Sequence, residues 1–409
     1  MYFSKFFWQV LLTAVVSCLV TACGGGGGGS AGSTTPPAAA VNVLPVSVDA
    51  GPTGNSANSL FATVTVCQPG SSNCVTIDHV LVDTGSTGLR LLSSLVAPLG
   101  LSPQTSAGLP LLNCAQFVDT SFVWGPVATA DVVLGGMTAS KVPIQIIGDP
   151  KYNARSAACQ TGTAMNTVAT LGANGILGVG LFLQDCGKHC TSNAANRYYF
   201  TCTTSACTAT TGVTVSLDHQ LQNPVSLLAA GYNNGLVIDL PAVTSNASVS
   251  GSIIFGVATQ TNNQGSSGTK ALATDTAGNV TTVLQGASMP NSFIDSGSNG
   301  LYFNSSAIAS CTNANFSGFY CPNALTPLSA TMSVTGPAST PASVTVAFAV
   351  DNAATLLSNA AWSVFPSLAG PSGDPSSFDW GLPFFFGRRV FFGFEGQSST
   401  LGSGTYYAF

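Results

Sequence analysis

Charge is what this chain has least of. Lys, Arg, Asp and Glu make up 6% of its 409 residues, against roughly 25% in an average soluble protein. Only ten residues are Lys or Arg; a nucleic acid held through its phosphates needs a cationic face, so that class of partner is excluded. Histidine is down to three scattered residues, His79, His189 and His219. No Gly-x-Ser-x-Gly elbow accompanies them, which removes a serine hydrolase working through a His base. Past residue 20 no apolar run reaches the ~18 residues that a spanning helix needs. Glutamate occurs once, at Glu395, beside fourteen Asp, so any carboxylate chemistry has few candidates. What is plentiful is apolar residues, 45% of the chain, enough for sizeable buried cores.

The first segment carries one early cation, Lys5, then an apolar run over residues 6–20 and the small residues Thr21-Ala22-Cys23. That order reads as an export signal. The ending Leu19-Val20-Thr21-Ala22-Cys23 resembles a bacterial lipobox, which implies a signal peptide over 1–22 and lipidation of Cys23. Residues 23–40, rich in Gly, Ser and Pro, form a neutral tether with an r.m.s. reach of about 20 to 25 Å. Gly24 after the modified Cys lacks the acidic signal of inner-membrane retention. The expected location is therefore the bacterial cell envelope, lipid-anchored, at the outer membrane.

Of the twelve Cys, Cys18 and Cys23 fall in this leader and ten remain. An even number in an oxidising compartment allows five bridges. Near neighbours suggest Cys67 with Cys74, Cys186 with Cys190, Cys202 with Cys207 and Cys311 with Cys321, leaving Cys114 with Cys159. Spacing does not prove that connectivity, and the run Cys186-Gly187-Lys188-His189-Cys190 has donors that also suit zinc. No second Cys pair carries a His beside it, so no metal and no cofactor are expected.

Through the body, short β-rich apolar stretches such as 60–66, 142–147, 252–255 and 343–350 alternate with Gly, Asn, Ser and Pro every ten residues or so. This is an all-β pattern. It also repeats. Leu81-Val82-Asp83-Thr84-Gly85-Ser86-Thr87-Gly88-Leu89 returns 212 residues later as Phe293-Ile294-Asp295-Ser296-Gly297-Ser298-Asn299-Gly300-Leu301, with five of nine positions identical. Two lobes follow from it, 41–216 and 217–409, with a cleft between them.

Each repeat has the form apolar strand, Asp, hydroxyl residue, Gly, Ser. The strand buries the approach, Gly lets the backbone aim N–H donors at the carboxylate, and the hydroxyl of Thr84 or Ser296 can reach the partner turn. If the two turns face one another across a pseudo-twofold axis, Asp83 and Asp295 cannot both ionise cheaply and share a proton. One is then a general base and the other a general acid, with water between them.

On these residues the chain resembles the pepsin-like aspartic proteases. Gly175-Ile176-Leu177-Gly178, Ser250-Gly251-Ser252-Ile253-Ile254-Phe255-Gly256 and Trp380-Gly381-Leu382-Pro383-Phe384 are similar to further landmarks of that family, in order. The resemblance implies a bilobal double-ψ β-barrel fold and a catalytic pair Asp83 and Asp295. It also implies an inter-lobe grip by Thr84 and Ser296, support from Gly85 and Gly297, and donors Ser86 and Ser298 to the outer carboxylate oxygens. Two features depart from the family pattern. Arg90 stands where an aromatic supports the flap, and the flap candidate around Trp124 is short, so Arg90 is expected to stack on Trp124. The tether also lacks the cations that would cover the dyad. The implied function is a monomeric aspartic endopeptidase acting on polypeptides at acid to mildly acid pH. A different class remains open: a catalytically silent module that binds a peptide or protein at the envelope.

Overall fold

The computed structural model describes residues 40–159, 162–207, 212–334 and 342–409. The signal peptide and the lipidation site Cys23 lie outside the described residues. The protein is all-β, 40% strand against 12% helix, as the spacing of apolar stretches implies. The strands of the first part are β1 (Val43–Val48), β2 (Leu60–Cys67), β3 (Cys74–Asp83), β4 (Thr87–Leu92) and β5 (Thr105–Ser106). They continue with β6 (Leu109–Gln116), β7 (Phe122–Leu134), β8 (Met137–Ile147), β9 (Gly175–Val179) and β10 (Tyr199–Thr201). The second part contains β11 (Gly235–Leu240), β12 (Val249–Phe255), β13 (Ala271–Ala273), β14 (Val280–Leu284), β15 (Ala287–Ile294) and β16 (Leu301–Tyr302). It ends with β17 (Thr326–Ser333), β18 (Ser343–Val350), β19 (Ala369–Gly370), β20 (Asp379–Trp380), β21 (Arg388–Gly393) and β22 (Tyr406–Ala408).

Two strand circuits organise the chain. In the first, β2 pairs antiparallel with β3, β3 parallel with β9, β9 antiparallel with β4, β4 parallel with β8, and β8 antiparallel with β7, which returns to β2. That ring is a closed barrel of six strands. The second follows the same sequence of steps through β14, β15, β20, β16 and β19, with β18 and β17 leading back to β14. It stays just short of closure with seven strands. The reason is visible in one strand. β8 serves β7 with most of its length and β4 with Gln145–Ile147, whereas its counterpart is split into β18 and β19. An antiparallel run in the order β1-β12-β11-β21-β22-β13 extends the first circuit, because β1 pairs with both β2 and β12, while the second circuit forms a sheet of its own.

Burial along β3 changes from alternating to continuous, and its last four residues, Val80 to Asp83, are all buried. The strand thus delivers a carboxylate into the interior. Beyond it, Ile176 and Leu177 of β9 take the parallel register opposite Leu81 and Val82. In the second circuit Asp379 and Trp380 of β20 take that place opposite Phe293 and Ile294. Trp380 stacks on Phe378 at 4.0 Å and donates its indole N–H to Thr282 Oγ1 at 3.0 Å, which fixes β20 against the barrel. Such a buried aromatic needs a partner for its N–H.

All five suggested disulfides are present: Cys67–Cys74, Cys114–Cys159, Cys186–Cys190, Cys202–Cys207 and Cys311–Cys321. The Cys186–Cys190 bond disposes of the zinc alternative there, since neither sulfur is left as a thiolate. Among the described residues no helix is long and apolar enough to cross a membrane.

Candidate functional site

β3 and β15 end side by side in their two Asp turns, and four bonds made by Thr84 and Ser296 cross between them. Ser296 N–H donates to Thr84 Oγ1 at 2.9 Å and Thr84 N–H to Ser296 Oγ at 3.2 Å. Each hydroxyl then donates to the strand opposite, Thr84 to Ile294 O at 3.3 Å and Ser296 to Val82 O at 2.8 Å. A hydroxyl accepts and donates at once, so two such residues close a symmetric buried lock that neither turn could make alone.

The lock sets the carboxylates together. Gly85 N–H donates to Asp83 Oδ1 at 2.8 Å and to Asp295 Oδ1 at 3.0 Å, and Gly297 N–H to Asp295 Oδ1 at 2.8 Å. The one N–H of Gly85 thus reaches an oxygen of each carboxyl. Both glycines are required by this approach. A methyl on Gly85 would stand 2.8 Å from Asp295 Cγ, and one on Gly297 2.7 Å from Asp83 Oδ1. Ser86 donates to Asp83 Oδ2 at 2.5 Å and Ser298 lies 2.9 Å from Asp295 Oδ2. The sequence reading therefore named every member of this cluster except one.

The missed member is Asp379. Its Oδ2 is 2.5 Å from Ser298 Oγ, so one hydroxyl stands between two carboxylates. The signal was an acidic residue inside the apolar run Phe378-Asp379-Trp380-Gly381-Leu382, a place where a charge needs a reason.

Burial dominates the electrostatics. Asp83 keeps 5% of its surface exposed and Asp295 none. Burial raises the carboxyl of Asp83 above the usual range, against the donors Ser86 and Gly85. Asp295 is pushed well above it by burial first and then by the negative charges of Asp83 and Asp379. Asp379 is likewise pushed well up by burial. A raised carboxyl favours folding in its protonated form. That contribution is complete below the unfolded value of about 3.9 and is lost as pH rises through the folded value. Asp218 and Asp374, held low mainly by hydroxyls of Ser216 and Ser376, act in the opposite sense but near the surface. The melting temperature is accordingly expected to be at least about 2 °C higher at pH 5 than at pH 8, read by calorimetry. An Asp295→Asn variant should flatten that slope.

The flap candidate Trp124 lies inside the hairpin of β6 and β7, 5% exposed, where it donates its indole N–H to Tyr152 O at 2.9 Å and packs on Phe200. Arg90 does not stack on it. The guanidinium is buried among Asn113 Oδ1 at 2.6 Å, Gln145 Oε1 at 2.7 Å and Asp185 Oδ2 at 3.4 Å, and prefers these oxygens to a ring face because burial leaves it no water. Arg388 and Arg389 are half-buried in the β11–β21 ladder, where Arg389 pairs with Asp239 at 3.1 Å. His79 sits between Asp49 and Asp78, at 3.4 and 3.2 Å.

Beside Asp83 and Gly297 opens a small apolar recess lined by Leu81, Phe117, Met165, Leu171 and Ile176. A larger cavity of about 170 Å³, against Leu301, Phe348, Trp380 and Phe384, has no carboxylate in its wall.

A family model described as "Protein of unknown function (DUF3443)" matches residues 38–409. No curated protein matches the chain. The resemblance to pepsin-like aspartic proteases is thereby corrected: the match is to a different family, and no relative with that activity supports the likeness. The reason is physical. A turn of Asp, hydroxyl, Gly and Ser is a compact way to hold a buried carboxylate at a strand end, and four-residue turns of that kind say what a site is made of rather than what a chain descends from.

Proposed function

We propose that this chain, which belongs to the DUF3443 family of proteins of unknown function, hydrolyses peptide bonds with Asp83 and Asp295 as an acid–base pair. The observation that carries the reading is the reciprocal lock of Thr84 and Ser296, since it holds two buried carboxyls where one proton must serve both. In the finer reading of the fold, the halves 41–216 and 217–409 stand as two lobes with the polypeptide in the cleft between them. Asp83, the slightly exposed member, takes a proton from water as the water oxygen bonds to the carbonyl carbon. Asp295 gives its proton to the carbonyl oxygen. The C–N bond then breaks, the amine leaves with the proton that Asp83 received, and one hydroxyl of the gem-diol returns a proton to Asp295 as the new carboxyl forms. With Cys23 lipidated, the enzyme works as a monomer at the outer membrane of a bacterial envelope, on polypeptides and without a metal.

A second reading has one observation in its favour: the dyad is almost sealed, as suits a module that binds a peptide without cutting it. The test uses residues 41–409 with an unfolded protein between pH 3 and 7 in water enriched in oxygen-18. New carboxyl termini carrying the heavy isotope, suppressed by a statine-type peptide, support hydrolysis. Binding of that peptide without cleavage at any pH supports the second reading.

A further inference from the structure

The two halves of the site differ at one position. Ser86 serves Asp83 alone, at 2.5 Å, while Ser298 is shared between Asp379 at 2.5 Å and Asp295 at 2.9 Å. A hydroxyl has one proton to give. Asp379 has the shorter contact, and its Oδ1 is buried without a partner, so Ser298 is the donor on which its side chain draws. The corresponding place in the first circuit is held by Ile176, which makes no such demand.

We propose that Asp379 is a positioning residue: by taking the Ser298 hydroxyl away from Asp295, it keeps the proton of the pair on Asp295 and leaves Asp83 as the base. The inference rests on the hydrolytic reading for its consequence, though not for its geometry. Two turns of nearly equal sequence would otherwise hold two equivalent carboxyls, and an acid and a base would not be distinguished. The titratable groups facing Asp379 are Asp295 and Asp83 across Ser298, with Tyr302 and Tyr407 on the packed side. Both tyrosines spend their hydroxyl protons elsewhere, Tyr302 on Asn299 Oδ1 at 2.5 Å and Tyr407 on Gly278 O at 2.9 Å. Arg90 acts on Asp83 from the opposite side and favours its anion, which adds to the same polarity.

The experiment is a carboxyl carbon-13 titration of wild type, Asp379→Asn and Asp379→Leu, with cleavage rate against pH measured on the same samples. Asp379→Leu removes the competing acceptor and Asp379→Asn replaces it by a weaker, uncharged one, so the upper titration step of the Asp83–Asp295 pair should fall by about one pH unit or more. The alkaline limb of the cleavage profile should move down with it. If Asp379→Asn fails to fold, Asp379→Leu carries the same readout, since an apolar residue already occupies the matching site at Ile176. An upper step unmoved in the folded variants overturns the proposal while wild-type cleavage leaves the hydrolytic reading intact. Absence of wild-type cleavage defeats that reading alone, and a lowered titration step still supports the role of Asp379.

Discussion

Asp83→Asn and Asp295→Asn are each expected to reduce peptide cleavage by about 10³-fold or more, with the fold retained. An amide nitrogen cannot take the place of an exchangeable carboxyl proton, and general acid–base groups of this kind contribute roughly 10² to 10⁴ each. Because the two groups hold one proton between them, either substitution removes the pair rather than half of it. Stability should move the other way in Asp295→Asn at neutral pH. The side chain is fully buried beside Asp83 and Asp379, so folding at neutral pH must protonate a carboxyl that is ionised in the unfolded chain, and a neutral isostere avoids that cost. Initial rates and thermal melts on the same preparations separate the two effects. Cleavage within tenfold of wild type in either variant would remove the dyad mechanism.

The second large effect belongs to Arg90. At 2% exposure, with Asn113, Gln145 and Asp185 on its guanidinium, it holds β4 to its neighbours a few residues beyond the first Asp turn. Arg90→Met removes the cation and leaves Asp185 buried, with Asn113 Nδ2 at 3.0 Å and the hydroxyl of Tyr199 as its remaining donors. Breaking one side of a buried ion pair typically costs about 3–5 kcal/mol, and denaturant unfolding of the variant should show a loss of that size. Adding Asp185→Asn to Arg90→Met should recover part of it, since the stranded charge is then gone. A change below about 1 kcal/mol in the single variant would mean that the network is hydrated rather than buried.

What the sequence made legible is what lies close together along the chain. The Asp turns could be read because each is contiguous and the second copy fixes the significance of the first; the five disulfides could be read because four join near neighbours. The all-β class followed from the spacing of turn residues. The extension of the first circuit could not be anticipated, since β1 meets β12 through pairs such as Val43 with Ile254, and no local periodicity encodes a pairing of that separation. Asp379 escaped for the same reason: its value depends on a parallel register with Phe293. Trp124 and Arg90 were misplaced because an arginine and a tryptophan suggest a stacked pair, whereas burial sent the cation to carboxylate and amide oxygens and the indole to a backbone carbonyl. The family resemblance went astray by weighing short turns as ancestry.

The most direct measurement is a carbon-13 titration of the wild-type Asp side-chain carboxyls from pH 2 to 9, with Asp83 and Asp295 assigned through their Asn variants. A shared proton gives two well-separated steps, one carboxyl staying protonated into the neutral range. Two carboxyls that ionise together near the ordinary value of about 4 would contradict it, whatever their separation in space.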